Sequence, residues 1–369
     1  MTNEEGITYQ ETNPYGSMTA FLEDDGRTVY LYLQSQMNPA YEMQSVWVKN
    51  RVEAPEKRTE EELRSGRAPV LTRSELASNP DISPLSEKDL YFIWLEEGNG
   101  LALFVNDSLY TFLPPWSGMK GFHGYSRYVK DEALTATAIG DTNHGVIVER
   151  IEKARQFWEY RSKPETWIQI RDSRLHFLES KFGTHTKYWS ADGGKFPFIG
   201  IARFQLKDSS IQIYSTIGMS GQNMPAVEFY HKDYEAYARI ELVFAIRSGA
   251  GPDSTESWVP HFMGELVKFP WNMQKWLGEG HTIQLGRQDP EALLEFNHLL
   301  LFEDSKPSLL PSLMGFNTEK EKPVRFLYML PITEEEKVWA SRNGSLQLKE
   351  KFIEKAYGVI HHPDRQSLV

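Results

Sequence analysis

Cysteine is absent from all 369 residues, which excludes a disulfide framework, a thiolate nucleophile and any cysteine-ligated zinc site. Long hydrophobic runs are absent too: no stretch approaches the ~20 apolar residues that a membrane-spanning helix needs. The opening residues, "MTNEEGITYQETNPYGS", carry acids where a secretory leader would carry a basic and then an apolar run. The expectation is a soluble, cytoplasmic protein. Basic residues are scarce in the first part of the chain. Residues 1–160 hold 15 Lys+Arg against 25 Asp+Glu, a balance of −10, whereas residues 161–369 hold 25 against 26. An acidic half disfavours nucleic acid or an anionic membrane and favours a basic protein partner, although solubility alone also selects acidic surfaces.

What is present is ample material for packed cores: 40% of the residues are hydrophobic, with ten Trp, seventeen Tyr and twenty Phe. The length points to two domains. In the first, "RTVYLYLQS" (27–35) and "MQSVWVKNRV" (43–52) have the period-two character of strands. The following stretch, "EAPEKRTEEELRSGRAPVLTRSELASNPDISPLSEK", rich in Pro, Ser and charge, reads as a long surface excursion. Strands resume in "DLYFIWLEEGNGLALFVNDSLYTFLPPW", with hairpin turns expected at Gly98-Asn99-Gly100 and Asn106-Asp107.

From Gly145 the period becomes helical, with Ile147, Ile151, Ala154 and Trp158 on one face. A second helix is expected directly after it, opened by a capping box of Ser162 and Glu165, striped by Leu175, Leu178 and Phe182, and stopped at Gly183. The boundary between the two domains, 1–160 and 161–369, is placed between these helices. Strands are then expected at 196–206, 210–220, 238–248 and 323–333, and helices at 256–269, 289–295, 333–341 and 345–356, with Thr333 and Glu336 as a second capping box. The expected class is α+β: a mixed, largely antiparallel sheet with packed helices, preceded by a second α+β domain.

The chemistry-bearing motifs are few. "LGEGHTIQLG" (277–286) sets three glycines about His281, yet it has neither Gly-x-Gly-x-x-Gly spacing nor a Lys-Ser/Thr after the last glycine. It reads as a turn and strand entry, with Gly278 ending a helix, Gly280 bending the chain and His281 hydrogen-bonding the corner to the sheet. The serines of "MSG" and "WSG" lack the Gly-x-Ser-x-Gly elbow that would expose a nucleophile. His361, His362 and Asp364 are adjacent in an extended tail, where neighbours face opposite ways, so no metal site is expected; Arg365 should pair with a surface acid. Glu334, Glu335 and Glu336 belong to a helix's first turn, where acids suit the dipole. Glu60, Glu61 and Glu62, with Glu96 and Glu97, form a charged face that could mimic nucleic acid to a basic partner.

Taken in order, "WIQIRDSRLHFLESKFG" with "KYW", "FIGIARFQ", "IQIYSTIGMS", "ARIELVFAIR", "ESWVPHFMGELVKFP", "GHTIQLG", "VRFLYMLPITEEE" and "HPDRQS" resemble the suppressor-of-fused domain over about residues 165–368. The preceding part, with "SVWVKNRVEAP", "WLEEGNGLAL" and "LPPWSGMKGFHGYSR", is similar to an extra domain of longer bacterial members. The resemblance implies a mixed α/β binding module without catalysis. Animal members hold a Gli peptide as an added strand, and bacterial members occur among immunity or antitoxin proteins paired with secreted toxins. Acids that serve peptide binding in animal members are missing from the turn "GMSGQNMP", so Gli-like recognition is not carried over. Thr216, Ser220, Gln222 and Asn223, with His281 and the loop residue Trp116, are the candidate partner contacts; no cofactor, metal or catalytic residue is expected. The alternatives are a small-ligand binder or enzyme using His281 and the 218–223 turn, or an adaptor for a regulatory protein.

Overall fold

The computed structural model describes residues 6–206, 210–247, 255, 257–286, 293, 295–303 and 310–369. The chain forms two compact units, residues 1–162 with 271–274, and residues 163–270 with 275–369.

The first unit begins with an antiparallel meander, β1 (Ile7–Thr12), β2 (Met18–Asp24), β3 (Thr28–Ser35) and β4 (Gln44–Asn50). After a short helix α1 (Glu60–Arg64) come β5 (Leu90–Trp94), β6 (Leu101–Val105), β7 (Ser108–Leu113), β8 (Tyr125–Ser126), β9 (Glu132–Ala133) and β10 (Ala136–Ala138), ordered β5-β6-β7-β8-β10-β9. Alternation along β6 explains the layering, since successive strand residues face opposite sides. Leu101, Leu103 and Val105 join the core shared with the meander, whereas Ala102 and Phe104 meet Ile147, Ile151 and Ala154 of α2 (Gly140–Ser162). Sheet, sheet and helix form three layers. Asn106 and Asp107 both have positive φ, as a two-residue hairpin turn requires.

The charged stretch after β4 is not merely a surface excursion. Leu71 is fully buried and Leu76 nearly so, both in the core between the sheets. Asn50 fixes the segment by accepting from Leu71 N at 3.1 Å and donating to Leu71 O at 2.8 Å. Arg58 pairs with Glu75, which also closes a capping box with Thr72. Composition hid a few apolar residues doing the work of a core segment.

The second unit runs α3 (Pro164–Phe182), β11 (Lys187–Ser190), β12 (Gly200–Gln205), β13 (Ile211–Ile217), β14 (Ile240–Arg247), α4 (Val259–Leu266), α5 (Phe269–Met273, partly in the first unit), β15 (Thr282–Gln284), β16 (His298–Glu303), β17 (Arg325–Ile332), α6 (Glu334–Asn343), α7 (Ser345–Glu354) and β18 (Ile360–His361). Its sheet order is β11-β12-β13-β14-β17-β16-β15, antiparallel except where β14 pairs with β17 and, further along, with β18. Helices α3, α6 and α7 cover one face; α4 lies on the other, where Phe262 meets Phe244. Helices on both faces explain why β14 is buried from Ile240 to Ile246, including the side expected to be mixed.

Of the two capping boxes expected, one is present. Thr333 and Glu336 form the expected capping box. At α3 the expected Ser162–Glu165 box is absent: Pro164 starts the helix, and Ser162 Oγ donates back to Glu159 O at 2.8 Å. A proline at the first helical position lacks the N–H that a cap would satisfy and is already set at helical φ. The helix expected at 289–295 lies outside the described residues except for 293 and 295. Arg365 does pair with an acid, but a buried one: it grips Glu336 with both terminal nitrogens, at 2.6 and 2.7 Å, between the rings of Phe296 and Phe352.

Leu71→Ala is expected to lower stability by about 2–5 kcal/mol, as for a core leucine, read from urea unfolding; a surface position would change it by under about 0.5 kcal/mol.

Candidate functional site

The turn singled out in the sequence, Gly218 to Asn223, is organised around an acid that the sequence did not single out. Glu241 lies on β14 with no exposed surface, on the face covered by α3. Directly after β13 the chain turns at Gly218, whose φ is +110° and whose missing Cβ leaves room for Phe198 O and the Trp167 ring. That turn aims three successive amides at the carboxylate: Gly218 N at 2.8 Å, Met219 N at 3.3 Å and Ser220 N at 3.1 Å. Ser220 Oγ donates at 2.7 Å and Thr216 Oγ1 at 2.6 Å. The result is a backbone nest of the kind that binds anions, here filled by the protein's own side chain.

Arg174 completes the cluster from α3. Its side chain is fully buried in the stripe Thr166, Ile170, Arg174, Leu178 and Phe182, spaced four residues apart so that all face the sheet. Arg174 Nε donates to Ser220 Oγ at 3.0 Å and lies 4.0 Å from Glu241 Oε1. Its Nη1 donates to Ser173 Oγ at 2.8 Å and pairs with Glu319. Burial pushes the Glu241 carboxyl above its ordinary pKa, while the hydroxyl donors, Arg174 and the Gly218 amide oppose that rise.

These contacts decide what the candidate residues can offer. Thr216, Ser220 and Gln222 have no exposed surface, so they present none to a partner. Gln222 Nε2 is spent on Gly218 O at 3.0 Å and Met219 O at 2.8 Å. Asn223 is partly exposed at the end of the turn. Trp116, in the other unit, is half-buried with the Arg150 guanidinium over its ring at 4.8 Å.

His281 stands apart from the Glu241 cluster in the contacts it makes. Its corner is held by main chain, with Gly280 N donating to Leu301 O at 2.8 Å and Leu301 N donating to His281 O at 2.9 Å. Helix α7 clamps the loop: Ser345 Oγ donates to Gly280 O at 2.9 Å, and Lys349 bridges Glu279 at 2.8 Å and Glu303 O at 2.7 Å. The half-buried imidazole packs against Trp276, ring centres 4.3 Å apart, and this burial lowers its pKa. Trp276 in turn meets His231 at 4.8 Å and Tyr230 at 5.7 Å, and His231 stacks on Tyr237 at 3.9 Å. Tyr230 is 69% exposed. This aromatic surface is absent from the sequence-based candidates apart from His281; its signal was the ring density of "EFYHKDYEAY". Among the described residues no group of three or more His, Asp or Glu is placed to hold a metal ion, and no helix is long and apolar enough to cross a membrane.

Glu241→Ala leaves five donors and a buried guanidinium facing a void and is expected to cost about 3–5 kcal/mol. Glu241→Gln, which supplies one acceptor oxygen and turns an amide toward donors, is expected to cost about 1–3 kcal/mol; thermal unfolding of the two variants beside the parent measures both.

A model of the family "Suppressor of fused protein (SUFU)" matches residues 197–366. No curated protein matches the chain. Among solved structures, a chain of "the Sufu-Fu complex crystal structure" aligns at 15% identity with a TM-score of 0.41, covering 54% of this chain and 92% of that one. The family match starts at Pro197, so it takes in the Glu241 nest and the His281 corner but not α3 or the first unit. It is over residues 197–366, a little under half of the chain, that this protein is similar to the suppressor of fused family.

Proposed function

We propose that this is a two-domain cytoplasmic protein that acts without catalysis, by stoichiometric binding of a protein partner through its suppressor of fused domain. The observation that carries the proposal is the family match over residues 197–366. It is supported by the chemistry of that domain's surface, where Tyr230 is exposed beside Trp276, His231 and His281; tyrosine and tryptophan are enriched among residues that dominate interface energies. The fate of the 218–223 turn argues against a small-ligand site there, because the polar groups of Thr216, Ser220 and Gln222 are turned inward.

In its most concrete form the activity is that of an immunity or antitoxin protein that covers a cognate basic toxin. The balance of −10 over residues 1–160 would speed encounter with such a partner.

Titration calorimetry against the toxin-like product of a neighbouring gene tests this: a 1:1 complex is expected whose affinity falls as salt rises from 50 to 500 mM. Tyr230→Ala is expected to weaken that complex by at least about tenfold, a hot-spot loss, with unfolding temperature unchanged. Absence of binding to any adjacent toxin-like product would sink the immunity reading.

A further inference from the structure

The last eleven residues form a strap whose chemistry none of the preceding functions uses. β14 is paired by β17 at Ile240–Val243 and then, where β17 leaves it, by the two-residue β18 at Ala245 and Ile246. Beside Ile360 in this strand sits His361, with no exposed surface and neither ring nitrogen hydrogen-bonded. Its ring lies edge-on to Phe296 at 4.9 Å and tilted to Phe244 at 5.9 Å. Four residues on, Arg365 lies over the same Phe296 ring at 4.6 Å and over Phe352 at 4.7 Å. Phe296 therefore packs against both basic side chains.

Among the described residues no free counter-charge faces the imidazole. The strap itself supplies His362 and Arg365, both of which disfavour a proton on His361. His362 is itself depressed, by burial first and then by Arg247 of β14 and Arg365. From α6 comes Glu336, but its oxygens already accept from both Arg365 nitrogens, from Thr333 N at 2.9 Å and from Leu368 N at 3.0 Å. On α4, His261 and Glu265 are solvent-facing while Val259, Phe262, Met263 and Leu266 turn inward. On α7, Lys349 is engaged with Glu279.

We propose that residues 359–369 are an acid-releasable latch, in which His361 must be neutral for β18 to stay paired with β14 and is protonated only when the strap detaches. A buried cation without a hydrogen-bond acceptor is far costlier than the same group in water, so protonation and detachment are linked.

Burial and the neighbouring cations depress the pKa of His361 from its usual 6.5 to about 3. For a base depressed on folding, the closed state binds fewer protons than the open one. Its advantage is full above pH 6.5 and declines as the pH falls toward 3. Linkage between those two values makes detachment about 30-fold more frequent at pH 5.0 than at pH 7.5.

Hydrogen exchange of the full chain, corrected for intrinsic rates, reads this as loss of protection at Ala245–Arg247 and Ile360–His361. The rise of about 30-fold is expected in the parent and should shrink several-fold in His361→Phe, which retains only the contribution of the less buried His362. His361→Gln, smaller and uncharged, serves if the phenylalanine variant folds poorly, and its pH dependence should fall to the same reduced level. An unchanged pH dependence in either folded variant, or an NMR titration placing His361 of the parent at its ordinary pKa, would overturn the proposal.

Discussion

Everything around the 218–223 turn follows from one requirement: a carboxylate with no access to water must find its hydrogen bonds inside the protein. Glu241 finds them by forcing the chain after β13 to coil back over β14, so that three amides and two hydroxyls converge on it. Only glycine tolerates the φ of +110° at residue 218 with Phe198 O and the Trp167 ring so near. Ser220 then links the acid to Arg174, which ties α3 to the sheet and reaches Glu319 on the far segment. One buried charge thus specifies a turn, a helix position and a long-range contact together.

This explains why part of the structure was legible in the sequence and part was not. Period two in "RTVYLYLQS" marked β3, Asn106-Asp107 marked the hairpin of β6 and β7, and Thr333 with Glu336 marked the start of α6, because these signals depend on residues close in the chain. Burial of charge depends on what arrives from elsewhere. Arg174, Glu241, Glu336 and Arg365 are residue types that belong on surfaces unless paired, and their partners lie between 29 and 145 residues away. Leu71 was hidden for the same reason, since its anchor is Asn50 and its core comes from two sheets. The strand "HLLLFE" of β16 is a short continuous apolar run, for which periodicity cannot separate strand from helix.

The candidate contacts divide along the same line. Polarity made Thr216, Ser220 and Gln222 look available, but a polar group in a tight turn is as readily used to satisfy its own backbone. His281 kept partial exposure because Gly280, Ser345 and Lys349 fix its loop through other atoms, leaving the imidazole to pack on Trp276. What distinguishes that corner as a surface is therefore its rings. Tyr230 extends them outward without needing any hydrogen-bonding role for the histidine.

The two histidines also show how glycine-rich context can mislead about chemistry. His281 attracted notice because three glycines surround it, yet its burial is only partial and solvent can still reach it. His361 lies in the plain tail "HHPDR", and there both ring nitrogens are sealed without a partner, while the Arg365 guanidinium of the same strap is already paired with Glu336. A cation can share an aromatic box when its charge is balanced, as Arg365 does between Phe296 and Phe352 with Glu336 in its fork. A second cation at His361 would pack against that same Phe296 ring, 4.9 Å between centres, with no free acid among the described residues to balance it. Neutrality at residue 361 is thus the condition on which the pairing of the last strand rests.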